Sequence, residues 1–260
     1  MNGAFHISGV GLDSQQKALD VIAHNIANMN TQGFKRSDVS FSEILSAQAA
    51  EDAALSANLT AETVPGGTRP DVRVMMDTQG ELQSTGNAMD VAISGSGFLE
   101  VMGSNGQGLL WRGGALGISE EGFLTAGNGM MLKSMVSVPL EAQALEIRRD
   151  GTVVAQMPGE DGDVEIEEVG QLMLVRVADA TSLERLDGGL YRMGEETQII
   201  DAVAGEDGAG DIMQGMIERS NVDLNTEMVG MMVVQRAYSA NAQVLRAADE
   251  MVSIANNLRR

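Results

Sequence analysis

The chain has 260 residues, enough for two modest cores, and a formal net charge of −20. It contains no Cys, which removes disulfides, thiolate chemistry and Cys-based zinc sites. An acidic balance of this size argues against nucleic acid, whose phosphates need a basic face, and no run of about 18 apolar residues is present to span a membrane.

The charge is unevenly placed. Residues 1–45 carry a net −1 and residues 216–260 carry zero, so the middle holds −19. Neutral ends can be crowded together; an acidic middle repels its copies and prefers solvent.

From the N-terminus, Phe5, Leu12, Leu19 and Ile26 recur every seven residues, with Ile22 and Met29 in the alternate position. This spacing predicts an amphipathic helix over residues 1–28. Asp13, Gln15 and Gln16 interrupt the apolar run that a cleaved signal peptide would need. The Asn- and Gly-rich stretch Asn25–Gly33 favours left-handed backbone, so the helix is expected to stop near Asn28–Asn30. Phe41, Ile44 and Leu45 continue as a short turn or extended segment. Ser46–Asp71 collapses into Ala, Glu, Ser, Thr and Gly, with Pro65 and Pro70 near its end. It reads either as a flexible surface loop or as a functional contact segment.

Residues 72–200 change period. Short apolar runs, among them Val72–Met75, Met89–Ile93, Phe98–Met102, Leu109–Trp111, Leu145–Arg148, Val153–Gln156 and Leu172–Val177, alternate with turn dipeptides. Gly86-Asn87, Asn105-Gly106, Asp150-Gly151 and Asp187-Gly188 are the clearest turns, and Asp150-Gly151 between two strand-like runs predicts a hairpin. Gly205–Gly210 is expected to act as a hinge returning the chain to a second helix.

That helix is the longest pattern in the sequence. Leu224, Met231, Tyr238, Leu245 and Val252 recur in sevens, and Met228, Val234, Ala242, Ala248 and Ala255 fill the intermediate steps. Some 36 residues at about 1.5 Å each reach about 54 Å. The expected fold class is α+β. Long N- and C-terminal α-helices form a coiled-coil-like core around an inserted antiparallel β-rich domain. The expected domains are a helical core of residues 1–35 with 216–260, an extended connector over 36–71 and a β-rich domain over 72–215. Periodicity leaves two readings of the helices: a hairpin within one molecule, or terminal helices of many copies packed into a shared core.

Chemistry is nearly silent. His6 and His24 are the only histidines, and neither has a nearby Asp or Ser with triad logic. There is no Walker A run and no G-x-G-x-x-G. The acidic stretch Glu160–Glu168 lacks EF-hand spacing and reads as a solvated strand face or loop. Eighteen Met against eight aromatics suggest adaptable packing surfaces. No catalytic, cofactor-binding or metal-ligating residue stands out, and the expectation is a non-enzyme.

Six ordered stretches, three at each end, then carry a resemblance. Ser8-Gly9-Val10-Gly11-Leu12, Ala18 through Asn28, and Thr31-Gln32-Gly33-Phe34-Lys35-Arg36 lie at one end. Ser220-Asn221-Val222, Glu227-Met228-Val229 and Gln235-Arg236-Ala237-Tyr238 lie at the other. With these the chain resembles the flagellar rod and hook family of axial proteins. His24 stands where the family more usually has Asn. Asp90 through Phe98, Arg149-Asp150-Gly151 and Val169-Gly170-Gln171-Leu172 are most similar to the distal-rod branch. Residues 46–64 sit where that branch carries an extra segment, but lack its aromatic and Arg-Pro character.

The resemblance implies a helical homopolymer with an inner tube of terminal helices and an outer β layer. It implies export without a cleaved signal through the flagellar apparatus, and a rod in the periplasm. The implied partners are other rod proteins, the hook protein and the peptidoglycan and outer-membrane ring proteins. Phe5, Leu12, Leu19, Ile22, Ile26, Leu224, Met228, Met231, Tyr238, Leu245 and Val252 are then the candidate assembly-core residues. The alternatives are a proximal rod or short hook subunit and, from other classes, a monomeric β-domain binding module with a helical stalk or a peptidoglycan-cleaving enzyme.

Overall fold

A computed structural model describes residues 2–45, 65–103, 105–158, 164–178, 183–194, 197–206 and 208–258. Its contacts divide the chain into two units, one of residues 1–27, 37–73 and 223–260, the other of residues 28–36 and 74–222. The turn after the first helix and the segment before the second therefore group with the β-rich body. The expected boundaries had put residues up to 35, and from 216 on, with the helices.

In the first unit, α1 (Asn2–Ala27) and α2 (Leu224–Leu258) are the two long helices that the heptads predict. α2 starts on an N-cap: Asp223 Oδ1 accepts hydrogen bonds from the Thr226 amide and hydroxyl, both at 2.8 Å. These bonds hold the Asp223 carboxyl below its ordinary range. The helices pack antiparallel, since Gly11 meets Asn241, Ile22 meets Gly230 and Asn25 meets Glu227. Beside them β1 (Ser37–Leu45) pairs with β2 (Pro65–Val74). Residues 65–71 are thus strand where a loop was one of the expected states; Val72 and Arg73 group with this ladder, while Val74, the last residue of β2, groups with the β body. The contact-segment reading of residues 46–64 lies outside the described residues.

The second unit is built on antiparallel pairing. Its largest sheet among the described residues has eleven strands, centred on β4 (Asp90–Ser94), β5 (Phe98–Met102), β6 (Gly108–Trp111) and β7 (Gly113–Ile118). Alternation along β5 and β6 feeds two cores. Leu99, Val101, Leu109 and Trp111 enter the main cluster with Val91, Ile93, Leu124, Leu132 and Leu174, while Phe98 and Leu110 join Val175, Leu183 and Tyr191 on the other face. Both faces are covered, so these strands read as continuous apolar runs. A three-stranded sheet of β10 (Ala144–Ile147), β11 (Thr152–Pro158) and β12 (Val164–Gln171) follows. β12 carries Glu165, Glu167 and Glu168 exposed.

The expected hinge at Gly205–Gly210 does not lead straight to α2. The chain first lays down β17 (Asp211–Gln214) on β4 and β18 (Met216–Glu218) on β3 (Leu82–Ser84). These strands were missed because each is only three or four residues long, shorter than the pattern that alternation needs.

The Asp150-Gly151 turn closes β10 on β11 as predicted. Arg148 N donates to Thr152 O at 2.9 Å, and Asp150 Oδ1 accepts from Thr152 N at 3.0 Å. Gly151 sits at φ +85°, where an added Cβ would lie 2.3 Å from Leu172 O. Gly151→Ala is therefore expected to cost about 2–3 kcal/mol from left-handed strain plus backbone displacement. Chemical denaturation followed by the fluorescence of the single, buried Trp111 checks it; an unchanged midpoint would refute the turn's assigned geometry.

Candidate functional site

The heptads locate the helices, and the α1–α2 contact brings one heptad residue, Ile22, against Gly230, alongside small and polar side chains. On α1 the buried positions are Ser8, Ser14, Ala18 and Asn25; on α2 they are Glu227 and Ala248. Small residues let the backbones approach, and an added Cβ on Gly11 would already lie 2.9 Å from Asn241 Nδ2. The polar members are satisfied. Asn25 Nδ2 donates to Ser37 O at 2.8 Å and to Glu227 Oε2 at 3.2 Å, while Asn25 Oδ1 accepts from Ser37 N at 3.0 Å. Ser14 Oγ lies 2.8 Å from Val10 O and 2.9 Å from Thr68 O, which ties β2 to α1.

The candidate assembly residues are left around this seam. Leu12, Leu19, Ile22, Ile26, Met231 and Leu245 are half-buried. Leu224, Met228 and Tyr238 are exposed. Phe5 and Val252 lie on the helices, with their side chains outside the described residues.

The opposite side of α2 holds a feature that the sequence reading passed over. Ala240, Val244, Ala247, Met251 and Ile254 follow one another in steps of four, three, four and three, and all are exposed. Val229, Met232 and Val233 extend this apolar side toward the helix start, each at least half exposed. A second apolar seam thus runs beside the first and is left bare. Its signal was present as Val233, Ala240, Ala247 and Ile254 in sevens, but two Ala in four positions made it look like helix filler.

Two of the family-like end segments, Thr31–Arg36 and Ser220–Val222, meet in the β-rich unit. Glu218 is its centre, with a side chain 2% exposed. Glu218 Oε1 accepts from Lys35 Nζ at 2.6 Å and from Gly80 N at 2.9 Å, and Oε2 accepts from Arg112 Nε at 3.1 Å. Lys35 Nζ also donates to Thr78 O at 2.9 Å, and the Arg112 guanidinium donates to the carbonyls of Gly95 and Gly97. Burial pulls the Lys35 ammonium below its usual range, and Glu218 opposes that pull.

Around this ion cluster, Thr31–Arg36 is clamped to Ser220–Val222. Gly33 N donates to Glu218 O, Arg36 N donates to Asn221 Oδ1 at 2.6 Å, and Asn221 Nδ2 donates to the carbonyls of Met75 and Thr78. Arg185 stacks 3.5 Å over the Phe34 ring while its Nη1 donates to Lys35 O at 2.8 Å. Glu218→Gln removes one charge and strands two buried cations. The expected loss is about 3–5 kcal/mol of stability, read by urea denaturation at neutral pH; a loss below about 1 kcal/mol, the scale of an exposed pair, would refute the assignment.

Three family models match separate stretches of the chain: flagella basal body rod protein at residues 6–35, flagellar hook protein FlgE/F/G D1 domain at 92–155, and flagellar basal body rod FlgEFG protein C-terminal at 213–258. The chain is 34% identical over 254 residues to the flagellar basal-body rod protein FlgG of Buchnera aphidicola subsp. Schizaphis graminum, covering 95% of each. It is 33% identical over 258 residues to FlgG of Agrobacterium fabrum, covering 96% of this chain and 97% of that one. To FlgG of Bacillus subtilis it is 31% identical over 264 residues, covering 97% and 98%.

Proposed function

The chain belongs to the FlgG family of flagellar basal-body rod proteins, and on that premise we propose that it polymerises helically into the distal rod. In this reading the rod is a drive shaft, and the terminal helices form its inner tube. The observation that carries the reading is the bare second seam of α2 beside a half-covered first seam. A soluble monomer rarely leaves so long an apolar stripe facing water, and a neighbouring copy can cover it without bringing net charge into the contact. The −19 of the middle then faces outward, where like charge limits sticking to surrounding structures.

The site residues keep their proposed role under this arrangement. Leu12, Leu19, Ile22 and Ile26 on α1, with Met231, Tyr238, Leu245 and Val252 on α2, form the inter-subunit core; Phe5, Leu224 and Met228 complete it toward the helix ends. Among the described residues no helix is long and apolar enough to cross a membrane. The proposed surroundings are the periplasm, reached by the flagellar export apparatus without a cleaved signal. The proposed neighbours are other rod proteins, the hook protein and the ring proteins.

One observation favours a second reading. α1 and α2 of a single chain already pack together, as a monomeric module with a helical stalk would have them. Electron microscopy of the purified full chain separates the two: tubes support the rod, compact particles at every concentration the module. Leu245→Asp is expected to abolish tube formation because an unpaired carboxylate in an apolar seam costs several kcal/mol. The buried Trp111 signal should stay native in that variant, and tubes surviving the charge would refute the role given to Leu245.

A further inference from the structure

Four described methionines are at least half exposed, Met135 at 55%, Met228 at 52%, Met232 at 50% and Met251 at 60%, and three of them lie on α2. Met251 sits within the bare seam between Ala247 and Ile254. Met228 and Met232 flank Val229 and Val233 at its start. Elsewhere in the chain the methionines are mixed: Met89 and Met130 pack against the main core and Met76 and Met193 against the second, while Met75, Met102, Met135 and Met173 are exposed. A thioether in water is open to two-electron oxidants, and its sulfoxide is polar where the thioether was apolar.

We infer that Met228, Met232 and Met251 are a methionine-oxidation site that controls association of the free chain. The inference rests on the rod reading, in which this side of α2 meets another copy. The reaction is the transfer of one oxygen from a peroxide to each sulfur. Hydrogen peroxide and the thioether give water and the sulfoxide; sulfur loses two electrons, and the peroxide is reduced. Met232 shares a groove with Gln235, Arg236, Ser239 and Gln243, whose donors can take up part of its sulfoxide, whereas at Met251 a sulfoxide places a strong acceptor on an apolar surface between Ala247 and Ile254. Burial of that acceptor against a second apolar helix is then opposed. The free chain is the vulnerable form, and association shields the three sulfurs. The α1–α2 contact lies on the other side of α2, where Glu227, Gly230 and Asn241 meet Asn25, Ile22 and Gly11. A methionine sulfoxide reductase acting on the free chain would restore competence.

The test uses the full chain and hydrogen peroxide. Peptide mass spectrometry should find a one-oxygen gain at Met228, Met232 and Met251 in the free chain and protection of all three in tubes. The concentration needed for tube formation should rise ~10-fold or more after oxidation, with far-UV circular dichroism unchanged. The volume-conserving variant M228L/M232L/M251L should form tubes equally with and without peroxide. If the triple variant fails to assemble, M251L alone and M228L/M232L replace it, each expected to lose part of the sensitivity. Oxidised wild-type chain assembling at an unchanged concentration overturns the inference. So does equal oxidation of the three sulfurs in tubes, or full peroxide sensitivity in the variants. Absence of tubes before any peroxide is a separate failure, that of the rod reading itself.

Discussion

A carboxylate buried with two cations is an expensive thing to build. Each ion gives up several kcal/mol of hydration, and attraction alone seldom returns it. Around Glu218 the return comes from completeness. Lys35, Arg112 and the Gly80 amide occupy its oxygens, and the carbonyls of Thr78, Gly95 and Gly97 take up donors of the two cations. Every partner comes from a different stretch of chain, with Lys35 and Glu218 183 residues apart in sequence. A cluster of this kind is weak evidence for stability but a strong constraint on register. Shifting β18 by one residue would turn Glu218 to the other face and leave both cations unpaired. The site therefore specifies which turn joins which strand, and through Asn221 where the chain stands just before the α2 cap.

That constraint explains why two remote stretches look alike across a family. Thr31–Arg36 supplies a left-handed Gly33, a ring for Arg185 and the buried ammonium of Lys35. Ser220–Val222 supplies Asn221, whose amide side chain serves Arg36, Met75 and Thr78 together. The resemblance picked out both ends correctly while giving no reason for them. The reason lies in hydrogen bonds that close between residues 28–36 and 218–222, a pairing that no local pattern encodes.

The helices show the opposite balance. Their extents were legible, with α1 ending at Ala27 and α2 running from Leu224 to Leu258, because heptads and an Asn- and Gly-rich stop are local signals. Their contact was not. Reading the largest apolar side chains as the seam placed Leu12, Leu19 and Ile26 at its centre; these are half-buried, and the close approaches run through Gly11, Ile22 and Asn25, with Ser8, Ser14 and Ala18 the other buried positions on α1. Close approach favours small side chains, and a buried Asn pays its desolvation by bonding Ser37 and Glu227 at once. In the β body the turn-bracketed run Phe98–Met102 read true to the residue. β7 and β18 did not, one because it is rich in Gly, the other because it is three residues long.

The displaced seam bears on association. A helix whose large apolar residues were consumed by its own partner would have little left to offer another copy. Here the internal contact uses the small and polar positions, so Met228, Val233, Val244, Met251 and Ile254 keep their apolar surface in reserve. Covering side chains of this size recovers about 1.5–3 kcal/mol each, spread along one helix and repeated in every copy. The ends are neutral, so this gain meets no opposing net charge. The charge of the middle is screened beyond about 8 Å at physiological salt and penalises only arrangements that press acidic bodies together. Attraction that is short-ranged and confined to the helices, with repulsion confined to the body, selects packing around the helices over side-by-side clumping. These two properties are the physical basis of the proposed tube.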